Sequence, residues 1–322
     1  MRLTSFLILA AASAVHSSAL AGRQTKNAGY LAAVFTGSLE QVYFELAPAS
    51  SPQTFKTING GKPVLIATEG TGGARDPSIL QTQDGSKLYI LATDLQIGKT
   101  TWGEAQRVGS RSIHIWESSD GVTWSSDHLV NLMPSTAGFV WAPSAIHDPS
   151  TGSYAVFWSS GVYAESDPQH TGTREGPYIY YAHTSDFKSF TDPQRWTTGG
   201  VYIDQEIQHL SGNSYIRYLK DTSINKVYVE RSDSGLFGTW TRLGLASTEV
   251  REGPASFQDI QNPARYYVWL DNYSGKGGYE CHYTEDFKPP FPTCETSLSP
   301  TGMRHGGVIQ VDQQLYDALA KL

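Results

Sequence analysis

One pattern recurs five times along this chain, and it narrows the choice of fold more than any other feature. Two runs rich in β-branched and aromatic residues are followed by a short polar turn of Ser-Asp type. An aromatic residue then opens another extended run. The paired runs fall at 30–35 and 41–45, 87–94 and 111–118, 154–158 and 178–182, 215–218 and 226–230, and 266–270 and 279–283. The aromatic residues after them are Phe55, Trp124, Phe190, Trp240 and Phe287. Strands repeating about every 50 residues, with few helical patterns between, predict an all-β, five-bladed β-propeller. A β-sandwich would also use many strands, but it would not require the same turn five times. The last run, 308–311, has no later unit to join. It is expected to return to the blade opened by Tyr30, so that the C-terminal strand closes the ring onto the N-terminal blade.

A short motif precedes each innermost run. The motifs are Arg75-Asp76-Pro77, Trp141-Ala142-Pro143, Ile203-Asp204, Glu252-Gly253-Pro254 and Arg304-His305-Gly306. In a propeller the segments that lead into the inner strands meet at the central channel. Asp76, Asp204 and Glu252 are therefore expected to converge from equivalent places. Carboxylates sharing a pocket raise one another's pKa, so one can stay protonated while another stays ionised. Cleavage of a glycosidic bond needs such a pair. Arg75, Arg251 and Arg304 adjoin the motifs and are candidates to hold Asp76 ionised. Glu206 is a rival for the third acid, since it stands two residues beyond Asp204 along a strand.

The ends and the composition bound the setting. Arg2, an apolar run from Phe6 and the Ala19-Leu20-Ala21 site read as a secretory signal peptide over 1–21. A single propeller domain is expected over 22–322, secreted and monomeric. The chain is 12% aromatic and 17% charged with net charge −7, which argues against nucleic acid or an anionic membrane as partner and is compatible with a carbohydrate. Cys281 and Cys294 can pair in an oxidising compartment. Asn272 heads an N-glycosylation sequon.

Taken in order and at blade spacing, the five motifs resemble glycoside hydrolase family 43, the five-bladed group of arabinofuranosidases, arabinanases, xylosidases and related galactan- or galactofuranoside-cleaving enzymes. The resemblance runs from the Tyr30 strand to Val311. It implies that Asp76 is the general base, Glu252 the general acid, and Asp204 the acid that raises the pKa of Glu252 and orients it. It implies inversion by a single water displacement, with base and acid carboxyls about 6.5–9.5 Å apart. Trp141 matches an aromatic near the pocket. His305 matches a histidine near the axis that contacts a bound ion or its waters in many relatives. No cofactor is required on this resemblance, and a Ca2+ or Na+ ion in the channel is left open. Many relatives carry an acid after Trp-Ala-Pro where this chain has Ser144, which leaves the sugar undecided.

The remaining candidates are read from the residues. Trp102, on a long loop after Asp94, is either a rim platform for sugar or a loop anchor. Asp94 either accepts from a sugar hydroxyl or caps a turn. Arg304 and His305, placed by the resemblance, are expected to contact the sugar as well. His114, His183 and His282 lie within strand runs and read as packed or surface residues. The expected activity is exo-acting removal of terminal α-L-arabinofuranose from plant cell-wall material, with loops 96–110 and 163–177 walling one side. Alternatives are relatives acting on β-xylosides, galactofuranosides or β-1,3-galactan, and a carbohydrate-binding propeller without catalysis.

Overall fold

The computed structural model describes residues 27–37, 39–275 and 277–322. The signal-peptide segment lies outside the described residues. The first blade holds β1 (Asn27–Thr36), β2 (Tyr43–Pro48) and β3 (Lys56–Thr57). The second holds β4 (Ala74–Gln81), β5 (Leu88–Asp94), β6 (Ser112–Ser118) and β7 (His128–Asn131), with helix α1 (Trp102–Arg107) between β5 and β6. The third holds β8 (Trp141–Asp148), β9 (Ser153–Val162), β10 (Glu175–Thr184) and β11 (Gln194–Arg195). The fourth holds β12 (Tyr202–Ser211), β13 (Ser214–Asp221), β14 (Lys226–Ser232) and β15 (Thr241–Leu245). The fifth holds β16 (Glu252–Gln258), β17 (Tyr266–Asp271) and β18 (Tyr279–Thr284). Finally β19 (Met303–Asp312) pairs antiparallel with β1, and helix α2 (Gln313–Leu319) follows it. The first sheet therefore runs β19-β1-β2-β3, and the five-bladed ring is closed by its two chain ends.

Period-2 alternation divides each strand between two cores. Leu31 and Ala33 pack toward the second blade, while Tyr30, Ala32 and Val34 pack toward the fifth. Leu88 and Ile90 face the first blade, and Tyr89 and Leu91 face the third. Tyr154, Val156 and Trp158 face the second blade, whereas Ala155 and Phe157 face the fourth. The same split places Ile216 and Tyr218 against Val268 and Leu270 of the fifth blade. Both faces are covered, so β5 is buried at every position. That is why these runs read as continuous apolar stretches.

The repeated turn has one chemistry. A hydroxyl at the end of the third strand accepts amides of the turn: Ser118 from Gly121, Thr184 from Phe187, and Thr284 from Phe287. The following Asp does the same, Asp120 for Thr123 and Asp186 for Ser189. The residue three beyond the hydroxyl has a positive φ in these turns and after Ser232 of the fourth blade: Gly121 73°, Phe187 55°, Phe287 55° and Gly235 99°. The stretch between β2 and β3 of the first blade has no Asp and no positive φ, which corrects the expectation of five such turns. Phe187 and Phe287 adopt a conformation unfavourable to a bulky residue, and both rings are buried in the cores beside them.

Two details differ from the sequence expectation. Trp102 opens a six-residue helix rather than lying on an irregular loop, with Thr101 accepting from the Glu104 amide as its N-cap. The fifth blade has three named strands. Its outer segment is instead joined to β18 by a disulfide between Cys281 and Cys294, alongside the Cys294 N to Cys281 O hydrogen bond of 2.9 Å.

Closure leaves no room at Gly306, where an added Cβ would lie 2.1 Å from the Ala33 carbonyl oxygen. Gly306→Val is expected to force β19 off β1 and to cost at least about 2 kcal/mol. Thermal unfolding measures the effect, and an unchanged Tm would show that the ladder tolerates the side chain.

Candidate active site

Every inner strand breaks its ladder at the motif. In the second blade Arg75 pairs with Thr93 and Ser78 with Leu91, so Asp76 and Pro77 oppose a single residue. Equivalent breaks fall between Trp141 and Ser144, between Ile203 and Gln205, and between Glu252 and Ala255. A bulge of this kind re-aims its side chain relative to the sheet. The bulged residue has positive φ in four blades: Asp76 48°, Ala142 49°, Asp204 54° and Gly253 52°. Asp76 and Asp204 thus hold the same place. Glu252 stands one position earlier, level with Arg75, Trp141 and Ile203, which corrects the expectation of three equivalent acids. The bulge place in that blade must be glycine, because a Cβ at Gly253 would lie 2.7 Å from Cγ of His305.

The bulges are tied from blade to blade. The Ala142 amide donates to Thr93 Oγ1 at 2.8 Å, and the Asp204 amide donates to Ser159 Oγ at 3.1 Å. The Gly253 amide donates to Asp204 Oδ2 at 3.1 Å, and the His305 amide to Asp271 Oδ2 at 3.4 Å. Each bond fixes one inner strand against the blade before it.

Asp76, Asp204, Glu252, Arg304 and His305 come together in this channel. Nδ1 of His305 lies 3.3 Å from Asp76 Oδ1 and 4.0 Å from Asp204 Oδ1. Thr93 Oγ1 donates to Asp76 Oδ2 at 2.9 Å. Burial alone would raise the Asp76 pKa, but the bond and charge of His305, the charge of Arg75 and the Thr93 bond outweigh it and hold it at about 2. The His305 imidazole is pushed the other way. Burial would lower its pKa, yet Asp204, Asp76 and Glu252 lift it to about 9.

Glu252 has a different environment. Lys220 Nζ donates to its Oε2 at 2.6 Å, and Arg304 Nη2 approaches its Oε1 at 3.4 Å. Burial and the charges of Asp204 and Asp271 raise its pKa to about 7 against the pull of Lys220. Glu206 is also raised to about 7 by burial, but its carboxyl accepts from Gln208 and Ser256, between β12 and β16. No contact joins it to Asp204.

The arginines divide their work. Arg75 is engaged by Glu40 at 2.6 Å, Arg251 by Glu280, and Arg304 by Asp271 at 2.9 Å. The direct cationic partner of Asp76 is therefore His305, with Arg75 acting at longer range. Trp102 is 51% exposed, meets Trp141 edge-on at 6.1 Å, and lies 5.2 Å from the Arg75 guanidinium. Trp102 thus stands between Trp141 and the Arg75 guanidinium. Asp94 is buried, accepts from the amide and hydroxyl of Thr71, and faces His114 at 3.3 Å. His114 bridges it to Asp127, which in turn accepts from the amides of Thr68 and Glu69. This network braces the loop before β4. Loops 96–110 and 163–177 are clasped together. Arg107 donates to Gln169 O at 2.9 Å and Arg174 to the Gln106 side chain at 3.0 Å, while His170 Nδ1 lies 2.6 Å from Arg107 O.

Nδ1 of His305 faces Asp76 and is engaged there. Among the described residues, no group of three or more His, Cys, Asp or Glu side chains is arranged to hold a metal.

Sequence reading passed over Lys220, Thr93 and Asp271. Their signal lies in register. They pair with Ile203, Arg75 and Glu252, each beside a bulge.

A model of a probable glycosyl hydrolase domain, of the family 43-related group, matches residues 26–317. The chain belongs to the family 43-related glycosyl hydrolases. An α-L-arabinofuranosidase of Bifidobacterium longum subsp. longum is 33% identical over 201 residues, which is 56% of this chain and 19% of that protein. The chain thus spans about a fifth of that relative's length. Among solved structures, the catalytic domain of a family 62 α-L-arabinofuranosidase from Coprinopsis cinerea aligns with TM-score 0.51 and 12% identity, over 72% of this chain and 71% of that one. An exo-β-1,3-galactanase from Phanerochaete chrysosporium aligns with TM-score 0.51 and 15% identity, over 73% and 53%. At these identities the two structures establish a shared fold.

The His305 charge predicts a pH dependence of stability. A pKa raised from 6.5 to about 9 contributes stability that is complete below pH 6.5 and is lost as the pH rises through 9. Thermal unfolding should therefore show Tm falling by several degrees over that window, and His305→Gln should flatten the fall. An equal slope in the variant would assign the fall to other groups.

Proposed function

We propose that the protein is a secreted, inverting, exo-acting glycosidase that removes terminal α-L-arabinofuranosyl residues from plant cell-wall polysaccharide or oligosaccharide. One observation carries the reading: two carboxyls share a channel in unlike surroundings, Asp76 bonded to His305 and Thr93 and Glu252 buried near Asp204 and Asp271. His305, Arg75 and Thr93 favour the ionised form of Asp76, whereas burial and Asp204 favour the protonated form of Glu252.

The chemistry follows from that split. Ionised Asp76 takes a proton from a water as the water oxygen attacks the anomeric carbon. The bond from that carbon to the leaving oxygen breaks, and Glu252 gives its proton to that oxygen. After one turnover Asp76 holds a proton and Glu252 is ionised; exchange with solvent restores both. Asp204 favours the protonated state of Glu252 and orients the neighbouring backbone through the Gly253 amide. Trp102 and Trp141 offer apolar ring surface to a sugar face.

The supports differ in kind. The Bifidobacterium relative's name supports arabinofuranose. The clasped loops beside Trp102 support exo action. The leader-like start of the sequence supports secretion.

The test is hydrolysis of aryl α-L-arabinofuranoside, β-D-xyloside, β-D-galactofuranoside and β-D-galactopyranoside, followed by arabinan and galactan. Turnover of the arabinofuranoside should fall roughly 10²–10⁴-fold in Asp76→Asn. Activity should decline above about pH 7 as Glu252 loses its proton. Turnover of another sugar would replace the substrate. Binding of sugar without turnover of any substrate would leave a carbohydrate-binding propeller.

A further inference from the structure

Lys220 breaks the pattern of the ring. In the second and third blades, the residue paired beside the bulge is a hydroxyl, Thr93 or Ser159, and it receives the bulge amide of the next blade. In the fourth blade that position, opposite Ile203, is Lys220. A lysine cannot accept an amide hydrogen, and the Gly253 amide goes to Asp204 instead. The Lys220 side chain reaches forward to the fifth blade and ends 2.6 Å from Glu252 Oε2. It is buried, and its ammonium lies 4.3 Å from the centre of the Tyr273 ring. A buried ammonium is costly without a partner, and here the partner is Glu252.

The other charged groups around Glu252 come from β12 (Asp204), β17 (Asp271) and β19 (Arg304 and His305). Lys220 makes the shortest of the two cationic contacts. Arg304 is 3.4 Å from Oε1 and is held by Asp271 at 2.9 Å. Oε2 is thus fixed, and Oε1 is the freer oxygen.

Resting on the glycosidase reading above, we propose that Lys220, supported by Tyr273, is the positioning residue of the leaving-group side. It anchors Oε2 so that Oε1 delivers the proton to the leaving oxygen, and it stabilises the carboxylate that remains. The proton passes from Oε1 to that oxygen as the electron pair of the breaking bond moves onto it. Asn272 and Glu280 hold the start of the Tyr273 loop, with Asn272 Nδ2 donating to Glu280 at 2.8 Å and Arg251 closing the same group.

The experiment compares glycosides of the sugar that is turned over, graded by leaving group from dinitrophenyl to an oligosaccharide. Lys220→Met keeps length and apolar packing while removing the charge. Its kcat/KM is expected to fall about 10²-fold on the oligosaccharide but within roughly threefold on the dinitrophenyl glycoside, which needs little acid help. The alkaline limb of its pH profile should move up, because the ammonium that favours ionised Glu252 is gone. Tyr273→Leu, on the half-buried loop, should show the same leaving-group dependence to a smaller degree and serves if Lys220→Met fails to fold. Glu252→Gln supplies the reference pattern. Equal losses across all leaving groups with an unmoved alkaline limb would reduce Lys220 to a structural residue and overturn the proposal. A folded wild type that turns over none of the glycosides would instead overturn the glycosidase reading itself.

Discussion

The centre of this molecule depends on a single antiparallel ladder between its first and last strands. β19 docks on β1 in a register that places Val308 opposite Ala32 and Gly306 opposite Val34. That pairing completes the first sheet and brings the first and fifth blades together over the Tyr30, Phe257 and Trp269 core. It also carries Arg304 and His305 to the axis. Without the ladder, Asp76 would lose its imidazolium partner and Glu252 its arginine. Stability and site chemistry are therefore coupled through backbone hydrogen bonds that touch no substrate.

Around that closure, the ring keeps opposite charges close and out of bulk water. His305 lies among Asp76, Asp204 and Glu252, while Lys220 and Arg304 attend Glu252 from two other strands. In low-dielectric surroundings each charge acts strongly on its neighbours. Similar carboxyls acquire different proton affinities because the bonds of Asp76 to His305 and Thr93 outweigh its burial, whereas burial and the charges of Asp204 and Asp271 outweigh the bond of Glu252 to Lys220.

The repeated turn and aromatic runs made the propeller legible because the same backbone problem is solved alike in the second, third and fifth blades. A hydroxyl, an aspartate and a positive-φ residue recur at fixed offsets, as at Ser118, Asp120 and Gly121. Asp76, Asp204, Glu252 and His305 were legible as motif residues. Their relative placement was not, since a bulge shifts side chains by one position without changing the residue types. Glu252 thus falls one place before Asp204's equivalent. Lys220 escaped notice because it lies within an aromatic strand far from any motif, and its importance comes from register with a neighbouring blade. Asp94 had two readings, and its contacts with Thr71 and His114 only become visible when separate loops meet.

The bonds from each bulge to the preceding blade have a consequence for modularity. Repeat proteins are often treated as strings of exchangeable units. Here the second blade's Thr93 serves the third blade's Ala142, the third blade's Ser159 serves the fourth blade's Asp204, and the fourth blade's Asp204 serves the fifth blade's Gly253. No blade owns its own part of the site. Crossovers between the first and second strands of the second or third blade would keep the Thr93–Ala142 and Ser159–Asp204 pairs together, whereas cuts at the visually obvious seams would split them. The unit of inheritance for this channel is the junction between blades.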